Sequence, residues 1–353
     1  MMEKFAGNLS IDGVAGLAYF RNGKVVKTMG RPLIQDLDIL PFPKHEVFFT
    51  ERRTGASILT SRGCPFRCSF CVLDAISQRR VRARSVANVI AEIEHLIAIA
   101  PQLETIWIHD DQFFMDNKRV IELCDEIVAR KIKLKFVCSA RFKPISKELV
   151  DALERAGFIQ VLFGLESGSP KILQMAHKGI KQADALKAIS LFKDSKIVAI
   201  CFLIVGLHGE DQETVDETIR FVREMQKIKY IIYHDISVLT IYPGTEIYDI
   251  AKGACQIGDD YWLTDKPTPL FTAEHDEAKL VEYKNKILDH VAITRIFTWK
   301  GFKAQYNMLP YVLKFGFRNM GLVLVLARYL IQRFAPGFYF RAKQIFNPAR
   351  PRA

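Results

Sequence analysis

The sequence predicts an α/β fold: a partial (β/α)6 TIM-type barrel with a short N-terminal extension and a helical, basic C-terminal region. Three observations point there. Short apolar runs recur six times between Ser57 and Thr240. Stretches with apolar residues spaced three and four apart separate them, the period of a helix with one buried face. Turn-forming prolines bracket the region, with Leu40-Pro41-Phe42-Pro43 before it and Tyr242-Pro243-Gly244 after it. At 353 residues, 49% apolar and 25% charged, the chain can bury a large core. A mainly disordered chain, a collagen-like repeat and a polytopic membrane protein are excluded.

Residues 1–50 read as a hairpin and a linker. Asn22-Gly23 lies between apolar Ala15 to Phe20 and Val25-Val26, the signature of a tight turn. Arg31-Pro32-Leu33 and the later prolines hold the chain extended. Residues 51–255 form the expected barrel. Its strands are Ser57–Thr60, Thr105–His109, Leu134–Ser139, Ile159–Gly164, Ile197–Val205 and Asp235–Thr240. Val86, Val89, Ile90, Ile93, Leu96 and Ile97 make one helical stripe, and Val120, Ile121, Cys124, Ile127 and Val128 another. Boundary signals agree: Ser146 opens a helix that Gly157 closes, and Ser169-Pro170 is an N-cap with proline at the first helical position. Repeated β-then-α units imply parallel strands joined by right-handed crossovers. Six units fall short of eight, so the barrel is expected open, with chemistry at the C-terminal ends of its strands. Residues 256–353 read as helical.

The strongest chemical signal is Cys64-Pro65-Phe66-Arg67-Cys68-Ser69-Phe70-Cys71, a C-x3-C-x2-C in the loop after the first strand. Thiolates are soft ligands for zinc or iron–sulfur clusters. A structural zinc site closes with four ligands in paired spacings. Three thiolates instead leave one iron of a four-iron cluster open. Cys124, Cys138 and Cys201 fall on apolar faces and read as core; Cys255 is assigned nothing. Seven cysteines so unevenly spaced make no disulfide framework. With no apolar leader in residues 1–20, a cytoplasmic location is expected.

The cysteine loop resembles the radical S-adenosylmethionine (SAM) superfamily, which carries this spacing with an aromatic residue, here Phe70, before the third cysteine. The body is similar to the cobalamin-associated branch of the anaerobic magnesium-protoporphyrin cyclase type. The matching pieces are Arg31 to Asp38, Leu40-Pro41-Phe42-Pro43, Asp110-Asp111-Gln112-Phe113, Phe163 to Ser169, Val205 to Glu210 and Tyr242 to Glu246. The resemblance implies a [4Fe-4S] cluster held by Cys64, Cys68 and Cys71, with SAM chelating the open iron. It implies an enzyme that uses a 5′-deoxyadenosyl radical to abstract hydrogen, leading to methylation, cyclisation or rearrangement. It places SAM at the strand ends: Asp110 and Asp111 toward the amino group, Ser139 and Arg141 toward the carboxylate, Glu166 toward the ribose, Ile204 and Gly206 against adenine. No catalytic residue beyond these is assigned. A reductant protein of flavodoxin or ferredoxin type is the implied partner. The lower-axial D-x-H-x-x-G signature of cobalamin is absent and only about fifty residues precede the barrel, so cobalamin is not expected on this chain; a separate cobalamin protein would supply it.

The net charge of +11 is unevenly placed. From His290 to Ala353 there are eleven basic residues and no acid, while the remainder balances at 39 basic and 39 acidic. Met308 to Phe334 interleaves Leu, Val, Phe and Tyr with Lys and Arg, but its longest uncharged stretch is far short of the roughly twenty residues a spanning helix needs. This favours an anionic membrane surface, on the inner face, over a helical cap packed on the barrel and over nucleic acid. A lipid-like or tetrapyrrole substrate follows from that preference. Two other readings stay open at this point: an RNA-modifying enzyme of the same superfamily, and a non-catalytic metal-binding module recruited to a membrane.

Overall fold

The computed structural model describes residues 11–49, 53–233, 236–254, 256–263 and 271–291. Near the N-terminus, β1 (Ala18–Arg21) and β2 (Lys24–Lys27) pair antiparallel. Asn22 and Gly23 both take positive φ, 51° and 73°, the geometry a two-residue hairpin turn requires.

The barrel begins at β3 (Gly55–Ile58). A short antiparallel ribbon follows, β4 (Ser61–Arg62) against β5 (Arg82–Ala83), with α1 (Leu73–Ser77) between them. The alternation then runs α2 (Val86–Ile99), β6 (Thr105–Ile108), α3 (Asn117–Ala129), β7 (Lys135–Ala140), α4 (Lys147–Arg155) and β8 (Phe158–Glu166). It continues through α5 (Pro170–Met175), α6 (Gln182–Leu191), β9 (Val198–Val205), α7 (Gln212–Ile228), β10 (Ile231–Ile232) and β11 (Ile236–Val238), then α8 (Glu246–Gly253) and α9 (Glu277–Val291). Caps set several starts: the side chains of Ser85, Asp116, Ser146 and Asp211 accept from the third backbone N–H of their helices.

All pairings in the main sheet are parallel, in the order β10-β9-β8-β7-β6-β3, with β11 also on β9. Among the described residues β3 pairs only with β6, so the sheet is an open, partial barrel. Each expected strand differs from the observed one by a residue or two at one or both ends, and two differences have a structural cause. The first strand stops at Ile58 rather than Thr60, because Thr60 is drawn into hydrogen bonds with Asp110. The expected last strand is β11, and β10 is added ahead of it; a two-residue strand such as β10 is too short to show alternation.

The sheet's two faces differ. Ile106 and Ile108, Phe136 and Cys138, and Val161 and Phe163 are buried and join Val89, Ile93, Leu123, Ile127, Leu149 and Leu153 of the helices in one core. Burying a side chain of this size contributes about 1.5–3 kcal/mol, so the helix-covered face holds most of the stability. The alternate residues line the inner face. There Leu59 is 41% and Trp107 39% exposed, and Trp107 stacks on His109 with ring centroids 6.2 Å apart. Leu162, Phe202 and Ile204 on the same face are half-buried. Cys124, Cys138 and Cys201 are fully buried, and burial pushes their thiols up, Cys124 to about 12.

No helix among the described residues is long and apolar enough to cross a membrane. The basic segment from residue 292 onward, and with it the membrane-surface and nucleic-acid readings, lies outside the described residues.

Candidate active site

The cysteine loop leaves the C-terminal end of β3 and is fixed from below. Asp110, at the end of β6, is buried. It accepts from Thr60 N (2.6 Å) and Thr60 Oγ1 (2.5 Å), and from Ser61 Oγ (2.6 Å). Burial pushes its carboxyl up, and these donors pull it back. Asp111 accepts from Gly63 N at 2.7 Å. Gly63 has φ +95°, and a Cβ there would lie 2.1 Å from Arg80 O, so the turn into Cys64 accepts only glycine. Both aspartates thus hold the loop; Asp110 has its oxygens engaged by protein donors.

Cys64 is buried, Cys68 and Cys71 are half-buried, and all three are free thiols. Cys71 N donates to Cys68 O at 3.0 Å, folding the last ligands into a turn. Burial pushes the Cys64 and Cys71 thiols up. They become thiolates only with positive charge beside them. Among the described residues no three His, Cys, Asp or Glu side chains converge on a point where one metal ion would sit. His45, the histidine nearest the triplet in sequence, is taken by Glu92 at 2.8 Å. The donor set, three free thiols from one loop, suits a multi-iron cluster whose thiolates bind different irons.

Arg141 follows β7 and is buried at 6% exposure. Its guanidinium lies 3.8 Å from the centroid of the Phe66 ring and donates from Nη1 toward Cys68 Sγ at 3.6 Å. Its backbone N–H is held by Gln112 Oε1 at 2.9 Å. Arg141 Nε and Nη2 and Gln112 Nε2 are buried with no hydrogen-bond partner. A charged buried donor left unpaired costs heavily, and these three donors are left open beside the thiols, where they can receive an anionic group. Ser139, half-buried, ends the inner face of the same strand.

Glu166 closes β8 at a bulge and takes φ +67°. Its Oε1 accepts from Lys178 Nζ at 2.8 Å, and both side chains are buried. Gly164 makes the room, since a Cβ there would lie 2.4 Å from Glu166 Oε1 and 2.9 Å from Lys178 Nζ. No further protein bond to that carboxylate is present among the described residues, which leaves Oε2 for hydroxyl groups. Lys178 Nζ also sits 5.9 Å above the Phe70 ring. Phe70 is half-buried against Ile172, Leu207 and their neighbours. Ser69 N donates to Ala176 O, and Ile247 N to Ser69 O, so the loop is tied to α5 and α8.

Ile204 packs in the same cluster as Phe70. Gly206, at φ +95°, donates to Glu210 Oε2 at 2.6 Å. A Cβ at Gly206 would meet Thr272 Cγ2 at 2.9 Å and Leu280 Cδ2 at 3.0 Å, so the segment before α9 covers this glycine. Glu210 is buried and its carboxyl is pushed up to about 7 by burial.

The structure therefore brings Cys64, Cys68, Cys71, Phe70, Arg141 and Glu166 together. It sets Asp110 and Asp111 beneath the loop and Gly206 beneath α9. Lys178, Phe66 and the amide of Gln112 are site residues that the sequence reading did not assign. Lys178 shows one weak signal, its place just before Gly179, which has φ +66° and abuts Arg141 Nη2.

The chain matches the radical SAM superfamily model over residues 58–222. It is 30% identical over 256 residues to an uncharacterized methyltransferase of Pyrococcus horikoshii, covering 71% of this chain and 55% of that protein. It is 32% identical over 225 residues to the anaerobic magnesium-protoporphyrin IX monomethyl ester cyclase of Rubrivivax gelatinosus, covering 60% of this chain and 39% of that one. The chain spans about half the length, or less, of these relatives. Among solved structures it resembles the radical SAM methyltransferase TsrM of Kitasatospora setae, with cobalamin and a [4Fe-4S] cluster bound. The TM-score is 0.60 at 22% identity, over 72% of this chain and 53% of that one.

Proposed function

The chain carries a radical SAM domain with homologues in the cobalamin-dependent branch of that superfamily, and from that premise we propose that it is an enzyme opening C–H bonds of a large apolar substrate. Cys64, Cys68 and Cys71 would hold the [4Fe-4S] cluster, which when bound supplies the electron that cleaves SAM into methionine and a 5′-deoxyadenosyl radical. Arg141, with unpartnered Nε and Nη2, pairs with the SAM carboxylate, and Gln112 Nε2 adds a neutral donor. Phe66 beneath the guanidinium keeps its plane fixed. Lys178 holds Glu166 so that Oε2 accepts from ribose hydroxyls. Asp110 and Asp111 set the height of the cysteine loop over the sheet.

The observation carrying the substrate class is the inner face. It offers exposed Leu59 and the Trp107–His109 stack, and neither β3 nor β6 carries a lysine or arginine. That surface suits a flat or chain-like apolar molecule rather than phosphates. The name of the Rubrivivax gelatinosus relative, an anaerobic magnesium-protoporphyrin IX monomethyl ester cyclase, supports the same class. Methylation, cyclisation and rearrangement remain alternatives within it.

The test is anaerobic reconstitution with iron and sulfide, then SAM and a chemical reductant, with and without added cobalamin. Iron is expected to bind, and 5′-deoxyadenosine is expected to form. Cys68→Ala should lose both. Protein that binds zinc but no cluster, or a cluster that leaves SAM intact, overturns the reading.

A further inference from the structure

We propose that the arginine-rich ribbon beside the cysteine loop docks a small acidic one-electron carrier; the inference rests on the functional reading above, which requires a donor. From Arg53 to Ala91 the chain holds seven arginines and a single carboxylate, Asp74. The rest of the body up to Asp289 holds 32 basic and 38 acidic residues, so this excess is local.

The fold gathers these charges instead of spreading them. Arg62 lies directly opposite Arg82 across the β4–β5 ribbon, and the backbone of Arg80 abuts Gly63, one residue before Cys64. Like charges facing each other on a ribbon destabilise it. Two members of the group have internal work: Arg84 pairs with buried Glu92, and Arg82 Nη1 donates to Ile34 O at 2.8 Å. Arg79 pairs with Asp74 at 2.9 Å. Arg62, Arg67 and Arg80 are exposed and make no ion pair among the described residues. They stabilise nothing visible in the fold, yet they ring the loop that carries the thiols.

Such a collar steers and orients an anionic protein while the contact stays weak, as repeated one-electron delivery needs. Cys68 and Cys71 are only half-buried, so a carrier seated here lies close to the cluster. Single-stranded nucleic acid would want aromatic faces among the basic residues. The ribbon itself offers none, its other side chains being Ser61 and Ala83, and the nearby Phe42 and Phe66 lie under Arg84 and Arg141. In the step itself the carrier is oxidised by one electron and the cluster reduced by one, with no atom transferred.

The experiment uses reconstituted full-length protein and flavodoxin hydroquinone, following cluster bleaching by stopped flow. In the wild type the second-order rate should fall steeply as salt rises. In Arg62→Glu/Arg80→Glu it should drop about tenfold or more at low salt. Reduction by methyl viologen radical, a small cation, should not slow. Calorimetry with oxidised flavodoxin on apo-protein should show a matching loss of affinity, so the surface is tested even if no cluster loads. An unchanged flavodoxin rate and affinity in the variant, or a salt-independent wild-type rate, overturns the proposal. So does a single-stranded RNA whose binding is lost in the variant while flavodoxin reduction holds. Failure to load a cluster at all counts against the functional reading, not against the ribbon.

Discussion

Glu210 shows how one buried carboxyl reports on its surroundings. Its pKa is raised to about 7 by burial, despite the bond from Gly206 N. A raised folded-state value means the protonated form is favoured in the fold. Its stabilisation is complete below the unfolded value and is lost as pH rises through about 7. Glu210→Gln keeps an acceptor for Gly206 and has no charge to bury. The variant should therefore gain on the wild type between about pH 5 and pH 8, by about 3 kcal/mol at most, read from urea unfolding across that range. A flat difference would mean Glu210 is ionised at neutral pH. At this scale the sequence is legible where spacing carries the chemistry, as in the three cysteines. It is silent on partnerships across the fold. Nothing near Lys178 in the chain announces that its ammonium meets Glu166, because that contact is made by the strand bulge and the empty space at Gly164.

The strands and helices were legible in the sequence to within a few residues wherever an apolar period ran long enough. The β4–β5 ribbon and β10, two residues each, carry no period and are visible only in the structure. The end of the first strand is set by a distant element: Asp110, after β6, captures Thr60 and Ser61. Removing that carboxylate orphans three buried donors at about 1–3 kcal/mol each when no water reaches them. Asp110→Ala should lower stability by about 3 kcal/mol and release iron faster from reconstituted protein, while Asp110→Asn recovers part of both. Urea midpoints and iron retention on a desalting column check this. If Asp110→Ala unfolds like the wild type, the clamp between strand ends is not what holds the loop.

Across the whole molecule the open sheet presents two unlike surfaces. One is helix-covered and dry, and the other carries Trp107 and Leu59 within reach of solvent. An apolar ligand laid on the inner face should quench Trp107. Protoporphyrin IX titrated into the wild type is expected to lower tryptophan emission saturably, and Trp107→Phe should remove most of that change. Equal quenching in both would place the ligand elsewhere. The arginines cluster at the loop, and Arg62 and Arg84 also rim the cavity that holds Leu59 and His109. The Asp110 clamp also orders events in time. Its bonds to Thr60 and Ser61 span 50 and 49 residues of chain. At about 5–20 residues per second of synthesis, the three cysteines emerge seconds before the residue that seats them. Further ties, to Ala176 and Ile247, come later still. The nascent loop is thus an unseated trio of thiols open to oxygen and stray metal, so the cluster's natural moment of entry is after the ribosome has moved well past it.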